Sequence, residues 1–158
     1  ELVEVSNKIR DMWKNVGVET DVKIFSSSNL ESSVIRPRAY QALLFGVIFG
    51  HYSDPFAFWH TSQIKDPGLN IALYSNRKVD SLLEEARRTI DEAKREEKYR
   101  EFQKIVAQDM PAIFLFSPTS YYGVHNSIKG VTIERIALPQ ERFAHIEEWY
   151  IKTRRGFK

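Results

Sequence analysis

The chain has 158 residues, of which 42% are hydrophobic and 28% are charged, the proportions of an ordinary globular protein. Its 23 basic and 21 acidic residues are interspersed and leave a formal net charge of +2, so no basic patch points to nucleic acid. The lack of cysteine excludes disulfides, thiolate metal sites and a cysteine nucleophile. The longest apolar run, residues 42–49, is far shorter than the roughly 20 residues that span a bilayer.

The first fifty residues predict a helix, a strand, a second helix and a second strand. Apolar side chains recur at helical spacing over residues 2–13, and residues 19–26 alternate between apolar and polar as in a strand. Residues 27–35 predict a short helix that ends before a proline. Residues 42–49 are apolar on both faces, which predicts a strand buried between layers of helices. This order indicates an α/β fold.

Residues 50–75 form an aromatic loop. Glycine and proline interrupt any periodicity there, yet aromatic side chains are frequent, and long loops of this kind are usually functional when they are not disordered. Phe56, Phe58 and Trp59 are too close in sequence for one face to bury them all, so part of their surface is expected to contact a ligand. The alternative is that the rings pack as a small satellite core.

Two further helices follow the aromatic loop. Ser75 or Asn76 is a suitable N-cap for the first, Asp91 caps the second, and Pro111 ends it. The chain then offers three strand candidates, which are residues 112–116, 121–124 and 131–133.

Motifs for catalysis are absent or weak. The sequence contains no Gly-x-Ser-x-Gly elbow, phosphate-binding loop or dinucleotide fingerprint, so it predicts neither an enzyme nor a cofactor. His51, Asp54 and His60 are the set that a metal-dependent hydrolase would use, although their spacing matches no zinc motif. That hydrolase is kept as the alternative from a different class.

Four segments together carry a family resemblance. They are MWKNVGVETDV at 12–22, YQALLFGVIFGHYSDPFAFWHTSQ at 40–63, GLNIALYSNRKVDSLLEEARRTID at 68–91 and AQDMPAIFLFSPTSYYGVHNSIKGV at 107–131. In this order they resemble the C-terminal portion of the bacterial extracellular solute-binding proteins of family 5, the oligopeptide, dipeptide and nickel-binding type. Each motif is weak alone, and the four in sequence cover nearly the whole chain.

The resemblance implies a receptor that delivers peptides to an ABC importer, with an oligosaccharide as the alternative solute. It implies a periplasmic or extracellular location, association with the membrane through permease subunits or a lipid anchor, and no cofactor. Family members have two lobes that close on the ligand, so the expected fold is a type II periplasmic-binding-protein-like lobe with a mixed sheet flanked by helices. Residues 1–110 would form a C-terminal ligand-binding lobe, and residues 111–158 the hinge-side strands and a segment returning to the N-terminal lobe.

The ligand is expected at the aromatic loop, because it follows the carboxyl end of a predicted strand, where open α/β sheets bind ligands. The expected ligand contacts are His51, Tyr52, Asp54, Trp59, His60 and Asn70. Peptide-binding members carry an Asp that pairs with the peptide's α-amino group in a WxADYxxP-like stretch, and His51 stands at that position here, with Ile48 at the Trp position. A neutral imidazole cannot replace the carboxylate as a counter-ion. Either the amine is held elsewhere, for instance by Asp54, or the ligand is not a free-amine peptide.

The resemblance also implies apolar surface where a partner lobe and a further sheet strand would lie. Tyr121, Tyr122, Phe143 and Trp149 belong to the segments concerned. Because uncovered apolar area and an unpaired sheet edge favour association, the isolated chain is expected to self-associate.

Overall fold

A computed structural model describes residues 2–48, 54–119, 121–133, 136 and 138–152. The chain divides into two compact units, one formed by Glu1–Gly46 with Asp54–Ile113 and the other by Val47–Ser53 with Phe114–Lys158. A division at residue 110 does not anticipate that residues 47–53 group with the C-terminal part. The roles predicted for the two parts stay predictions.

The first unit is helical. Its α-helices are α1 (Leu2–Asn15), α2 (Ser27–Leu30), α3 (Phe56–Trp59), α4 (Arg77–Arg88) and α5 (Glu92–Asp109). A π-helical turn, Glu31–Ile35, continues α2, and a 3-10 turn, Thr61–Gln63, follows α3. Among the residues that the structure describes, no helix is both long and apolar enough to cross a membrane.

Local signals set the ends of the longer helices. The side chain of Asn76 accepts hydrogen bonds from the N–H groups at the start of α4, and that of Asp91 accepts one from Lys94 at 3.0 Å, which satisfies donors that a helix start leaves free. Gly17, at φ 85°, follows α1 in the left-handed conformation that favours glycine. The predicted caps at Asn76 and Asp91 are therefore confirmed.

The core of the first unit lies between α4 and α5. Its buried members are Tyr74, Val79, Leu82, Leu83, Phe102 and Val106. On α4 the buried residues recur at helical spacing, and Val79 and Leu83 are almost completely enclosed. Burial of one such aliphatic side chain stabilises the fold by about 1.5–3 kcal/mol. Phe56 and Trp59 pack against this core from the preceding segment, so the helix pair is the platform for the aromatic loop.

The described part of the second unit contains a small sheet. Strands β1 (Ile128–Lys129) and β2 (Tyr150–Ile151) pair antiparallel, with Ile128 opposite Ile151 and Lys129 opposite Tyr150. Two 3-10 turns, Pro139–Phe143 and Ile146–Glu148, precede β2. Gly130 has a φ of 77°, and a Cβ there would collide with the carbonyl oxygen of Glu148, so only glycine fits beside this strand pair.

The strands predicted at residues 19–26, 42–49, 112–116, 121–124 and 131–133 do not form in their described residues, and these predictions are wrong. The apolar run at 42–48 is also not buried, since Phe45 is 47% and Ile48 is 71% exposed. An apolar pattern can favour an extended backbone, but a strand exists only where a neighbour completes its hydrogen bonds. The described part of the chain supplies such a neighbour only to β1 and β2.

Candidate ligand-binding site

Residues 54–74, called the loop segment below, hold the described part of the predicted site. Asp54 begins it, and its Oδ1 accepts a hydrogen bond from the N–H of Phe56 at 3.0 Å. Its Oδ2 accepts one from Arg87 Nε on α4 at 2.5 Å. The Arg87 guanidinium also lies 3.7 Å from the centroid of the Phe56 ring, a cation–π contact. Asp54 therefore connects the first residue of α3 to α4.

Trp59 ends α3 and faces the helix pair. Its ring lies 6.2 Å from that of Tyr74 at an interplanar angle of 80°, and 6.4 Å from that of Phe102 at 58°. Such edge-on and tilted pairs are the favourable aromatic geometries. Because Trp59 remains only partly buried, it has one side in the core and part of its surface outside.

His60 is 9% exposed and stacks on Phe56, with ring centroids 4.0 Å apart. The backbone N–H of Ser62 donates to its Nδ1 at 3.1 Å. A backbone N–H can only donate, so Nδ1 accepts, and the proton of the neutral ring lies on Nε2. Nε2 has no hydrogen-bond partner among the described residues and lies 3.4 Å from Glu84 Oε1 and 3.8 Å from Asp80 Oδ1. Its polar edge therefore faces α4.

Asn70 is fully buried, and its side chain holds the loop segment together. Its Nδ2 donates to the carbonyl oxygens of His60 at 3.2 Å and Tyr74 at 2.8 Å. Its Oδ1 accepts the N–H of Tyr74 at 3.1 Å. One amide thus replaces three hydrogen bonds that water would otherwise make with the backbone.

Two side chains that the sequence did not single out, Arg38 and Tyr40, fix the loop segment from the irregular stretch that follows the π-helical turn. The Arg38 guanidinium donates to the carbonyl oxygens of Ile64 at 3.0 Å and Gly68 at 2.6 Å. The Tyr40 hydroxyl donates to the carbonyl oxygen of Ile71 at 2.6 Å. The residues follow a proline and precede an apolar run in sequence, and neither position signals these long-range contacts.

Tyr74 closes the loop segment against the end of α5. Its hydroxyl donates to Asp109 Oδ2 at 2.5 Å, and Asn76 Nδ2 donates to the same oxygen at 2.8 Å. Burial, followed by the bond to Asp109, raises the pKa of Tyr74 to about 12. The hydrogen bonds from Tyr74 and Asn76 hold the pKa of Asp109 below its ordinary value. The start of α4 and the end of α5 are thereby joined.

The structure brings four of the six predicted ligand contacts together. Asp54, Trp59, His60 and Asn70 all lie in the loop segment. Asp54 and Trp59 keep part of their surface exposed, whereas His60 and Asn70 are buried. His51 and Tyr52 lie outside the described residues. The ligand contacts themselves stay predictions.

The arrangement can offer aromatic contact area and a carboxylate edge to a ligand. As for the hydrolase alternative, its proposed ligand Asp54 is bound to Arg87, and His51 lies outside the described residues. Within the described ranges no group of three or more His, Asp or Glu side chains is arranged to hold a metal ion.

Comparison with known proteins identifies relatives. The chain is 24% identical over 149 residues to the oligopeptide-binding protein AppA of Bacillus subtilis (strain 168). The matched region covers 94% of this chain and 26% of AppA. It is 33% identical over 82 residues to the probable D,D-dipeptide-binding periplasmic protein DdpA of Escherichia coli (strain K12). This matched region covers 50% of this chain and 16% of DdpA. No protein-family model matches the chain.

The fold also has a solved counterpart. The structure of AppA in complex with a nonapeptide matches with a TM-score of 0.69 and 24% identity, over 95% of this chain and 29% of that one. This match confirms the predicted α/β class and the predicted periplasmic-binding-protein-like lobe. The chain spans less than a third of the length of each of these proteins.

Proposed function

We propose that this chain belongs to the family 5 extracellular solute-binding proteins and is part of a peptide-binding receptor of an ABC importer. The observation that carries the proposal is the match to an oligopeptide-binding protein along 94% of the chain, together with a shared fold over 95% of it. The relatives are named as binding proteins, which supports a receptor rather than an enzyme. They give no support to an oligosaccharide receptor or a hydrolase.

The proposed partners follow from that function. The ligand is a peptide, and the permease subunits of the importer receive it. One relative is named as a periplasmic protein, which supports a periplasmic or extracellular location for this one. Association with the membrane would then run through the permease or a lipid anchor.

Within the loop segment, we assign different roles to the exposed and the buried residues. Trp59 and Asp54 contact the peptide, because both keep accessible surface. His60 and Asn70 position them, because their described contacts are internal. His51 and Tyr52 keep their predicted role as ligand contacts.

Asp54 is a weak candidate for the counter-ion of a peptide amine. Its Oδ2 already pairs with Arg87 at 2.5 Å, so the carboxylate carries little free negative charge toward a second cation. It can still accept a hydrogen bond from a peptide N–H, since an ionised carboxylate has several acceptor sites. This geometry favours recognition of peptide backbone over recognition of the amino terminus at Asp54.

The test is to identify the solute that the protein carries. The protein is produced from its complete gene, the bound molecules are released by acid, and mass spectrometry determines their class. Peptides are the expected result. Titration calorimetry with a synthetic nonapeptide of neutral side chains, and with maltotriose as the control, then measures affinity. Maltotriose binding without nonapeptide binding would contradict the proposal.

We also propose that the 158-residue chain alone self-associates. Tyr121 is 95% and Tyr122 is 41% exposed, and exposed aromatic surface of this kind favours association. Light scattering over a concentration series should show a rising mean mass. A constant monomer mass at high concentration would contradict self-association and leave the receptor proposal untouched.

A further inference from the structure

An aromatic cluster with one arginine lies in the second unit, away from the loop segment in sequence. The rings of Tyr122 and Phe143 are 6.4 Å apart at 80°, and those of Phe143 and Trp149 are 6.2 Å apart at 48°. The Arg142 guanidinium carbon lies 4.8 Å from the Phe143 centroid and 5.7 Å from the Tyr122 centroid. We call these four residues the Arg142 cluster.

Two nitrogen donors in this cluster have no acceptor among the residues that the structure describes. Arg142 Nε and Trp149 Nε1 are both enclosed, and neither has a hydrogen-bond partner. A buried donor without an acceptor costs about 1–3 kcal/mol, so each such group in a native structure calls for an explanation. Both side chains adjoin the same Phe143 ring.

Two described carboxylates that are close to Arg142 in sequence have other partners. Glu141 accepts a hydrogen bond from the Leu138 N–H at 2.9 Å, and Glu147 lies 3.7 Å from the His145 ring. Among the described residues, no ion pair to Arg142 is formed, and its charge meets only the faces of aromatic rings. An arginine held on aromatic faces keeps its planar N–H fork available to a carboxylate.

We propose that the Arg142 cluster is a carboxylate-binding site, in which Arg142 and Trp149 donate N–H hydrogen bonds to a carboxylate of a bound peptide. The assignment of the carboxylate to a peptide rests on the proposed function, whereas the chemistry of the site does not. Tyr122 and Phe143 are 41% and 43% exposed, so the aromatic rings of the cluster lie at the protein surface. The carboxylate is either the peptide's C-terminus or an acidic side chain.

The first experiment tests the site with acetate alone. In the ¹⁵N-labelled protein from the complete gene, the Trp149 indole N–H signal is assigned by its loss in Trp149→Phe. Sodium acetate should shift this signal downfield in a saturable manner, and sodium chloride should not. The Trp13 and Trp59 signals serve as internal controls. If the Trp149 signal does not respond to acetate, the proposal is overturned, and water satisfies the donors instead.

Variants of Arg142 test its part in the site. Arg142→Gln removes the charge and should weaken acetate binding about tenfold or more, as expected for a charge-assisted hydrogen bond. Arg142→Lys keeps the charge but loses the fork and should also weaken it. Arg100→Gln is the matched control, because Arg100 lies on α5 and pairs with Glu96. Unchanged acetate binding in both folded Arg142 variants would contradict the proposal. Should one variant fail to fold, the other and the wild-type titration decide.

Three nonapeptides then distinguish the sources of the carboxylate. One has a free C-terminus and neutral side chains, the second is its C-terminal amide, and the third is that amide with one central glutamate. Tighter binding of the first indicates the α-carboxylate, and tighter binding of the third indicates an acidic side chain. Equal binding of all three contradicts the peptide assignment. If none binds while acetate still shifts the signal, the proposed function fails and the carboxylate site stands.

Discussion

Replacement of Asn70 by alanine should open the loop segment locally. The change removes three hydrogen bonds, at 3.2, 2.8 and 3.1 Å, and each contributes about 1 kcal/mol net. It also leaves the N–H and C=O of Tyr74 without partners unless water enters the space, whereas the C=O of His60 keeps the N–H of Gln63 at 3.0 Å. The expected loss is therefore roughly 3–5 kcal/mol of local stability.

Hydrogen exchange of residues 69–75 measures this loss directly, because exchange reports local opening. A loss of about 3 kcal/mol corresponds to roughly 100-fold faster exchange of the Tyr74 amide. Asn29→Ala is the control, since Asn29 is an exposed asparagine of the same unit, and its exchange profile should match wild type. If Asn70→Ala leaves exchange within about threefold of wild type while peptide affinity falls, Asn70 contacts the ligand and the positioning role is refuted.

Three further predictions concern binding and pH. Trp59→Ala should weaken nonapeptide binding by about 2 kcal/mol or more per folded molecule, measured by calorimetry with Trp13→Ala as control; lost stability with unchanged affinity would make Trp59 purely a core residue. His51→Asp should tighten binding of a free-amine peptide but not of its N-acetylated twin, because the new carboxylate can pair with the ammonium; a gain for both would exclude that pairing. Tyr74→Phe should lower the unfolding midpoint at neutral pH. The difference in unfolding midpoint between wild type and Tyr74→Phe should vanish as the pH falls through the lowered pKa of Asp109. It should also vanish as the pH rises from 10.0 toward the Tyr74 pKa of about 12. A difference that does not depend on pH would contradict the Tyr74–Asp109 bond.

Helices could be predicted here because their signals are local. The N-caps Asn76 and Asp91 precede apolar residues at helical spacing, and both helices begin where the pattern predicts. The strand predicted at 42–49 does not form in its described residues. Its apolar pattern favours a strand, but sheet formation depends on a partner that sequence periodicity does not specify.

Packing of the aromatic loop could be predicted from the sequence, whereas its role in ligand binding stays a prediction. The structure places Phe56 and Trp59 of this loop against the α4–α5 core. Nothing in the sequence distinguishes Asn70, which is fully buried, from an exposed loop asparagine. The same holds for Arg38, whose partners lie 26 and 30 residues away.

The way the loop segment is fixed bears on how it would bind a peptide. Most of it lacks regular structure, yet Arg38, Tyr40 and Asn70 anchor its backbone at Ile64, Gly68, Ile71 and Tyr74 through side-chain hydrogen bonds. A loop held in this way does not have to be ordered when the ligand arrives, and ordering costs about 0.5–1.5 kcal/mol for each immobilised side chain. Loss of an anchor should therefore lower affinity without removing any contact to the peptide, whereas loss of Trp59 removes the contact itself. Hydrogen exchange separates the two cases, because only the loss of an anchor should accelerate exchange throughout residues 64–74 in the absence of ligand.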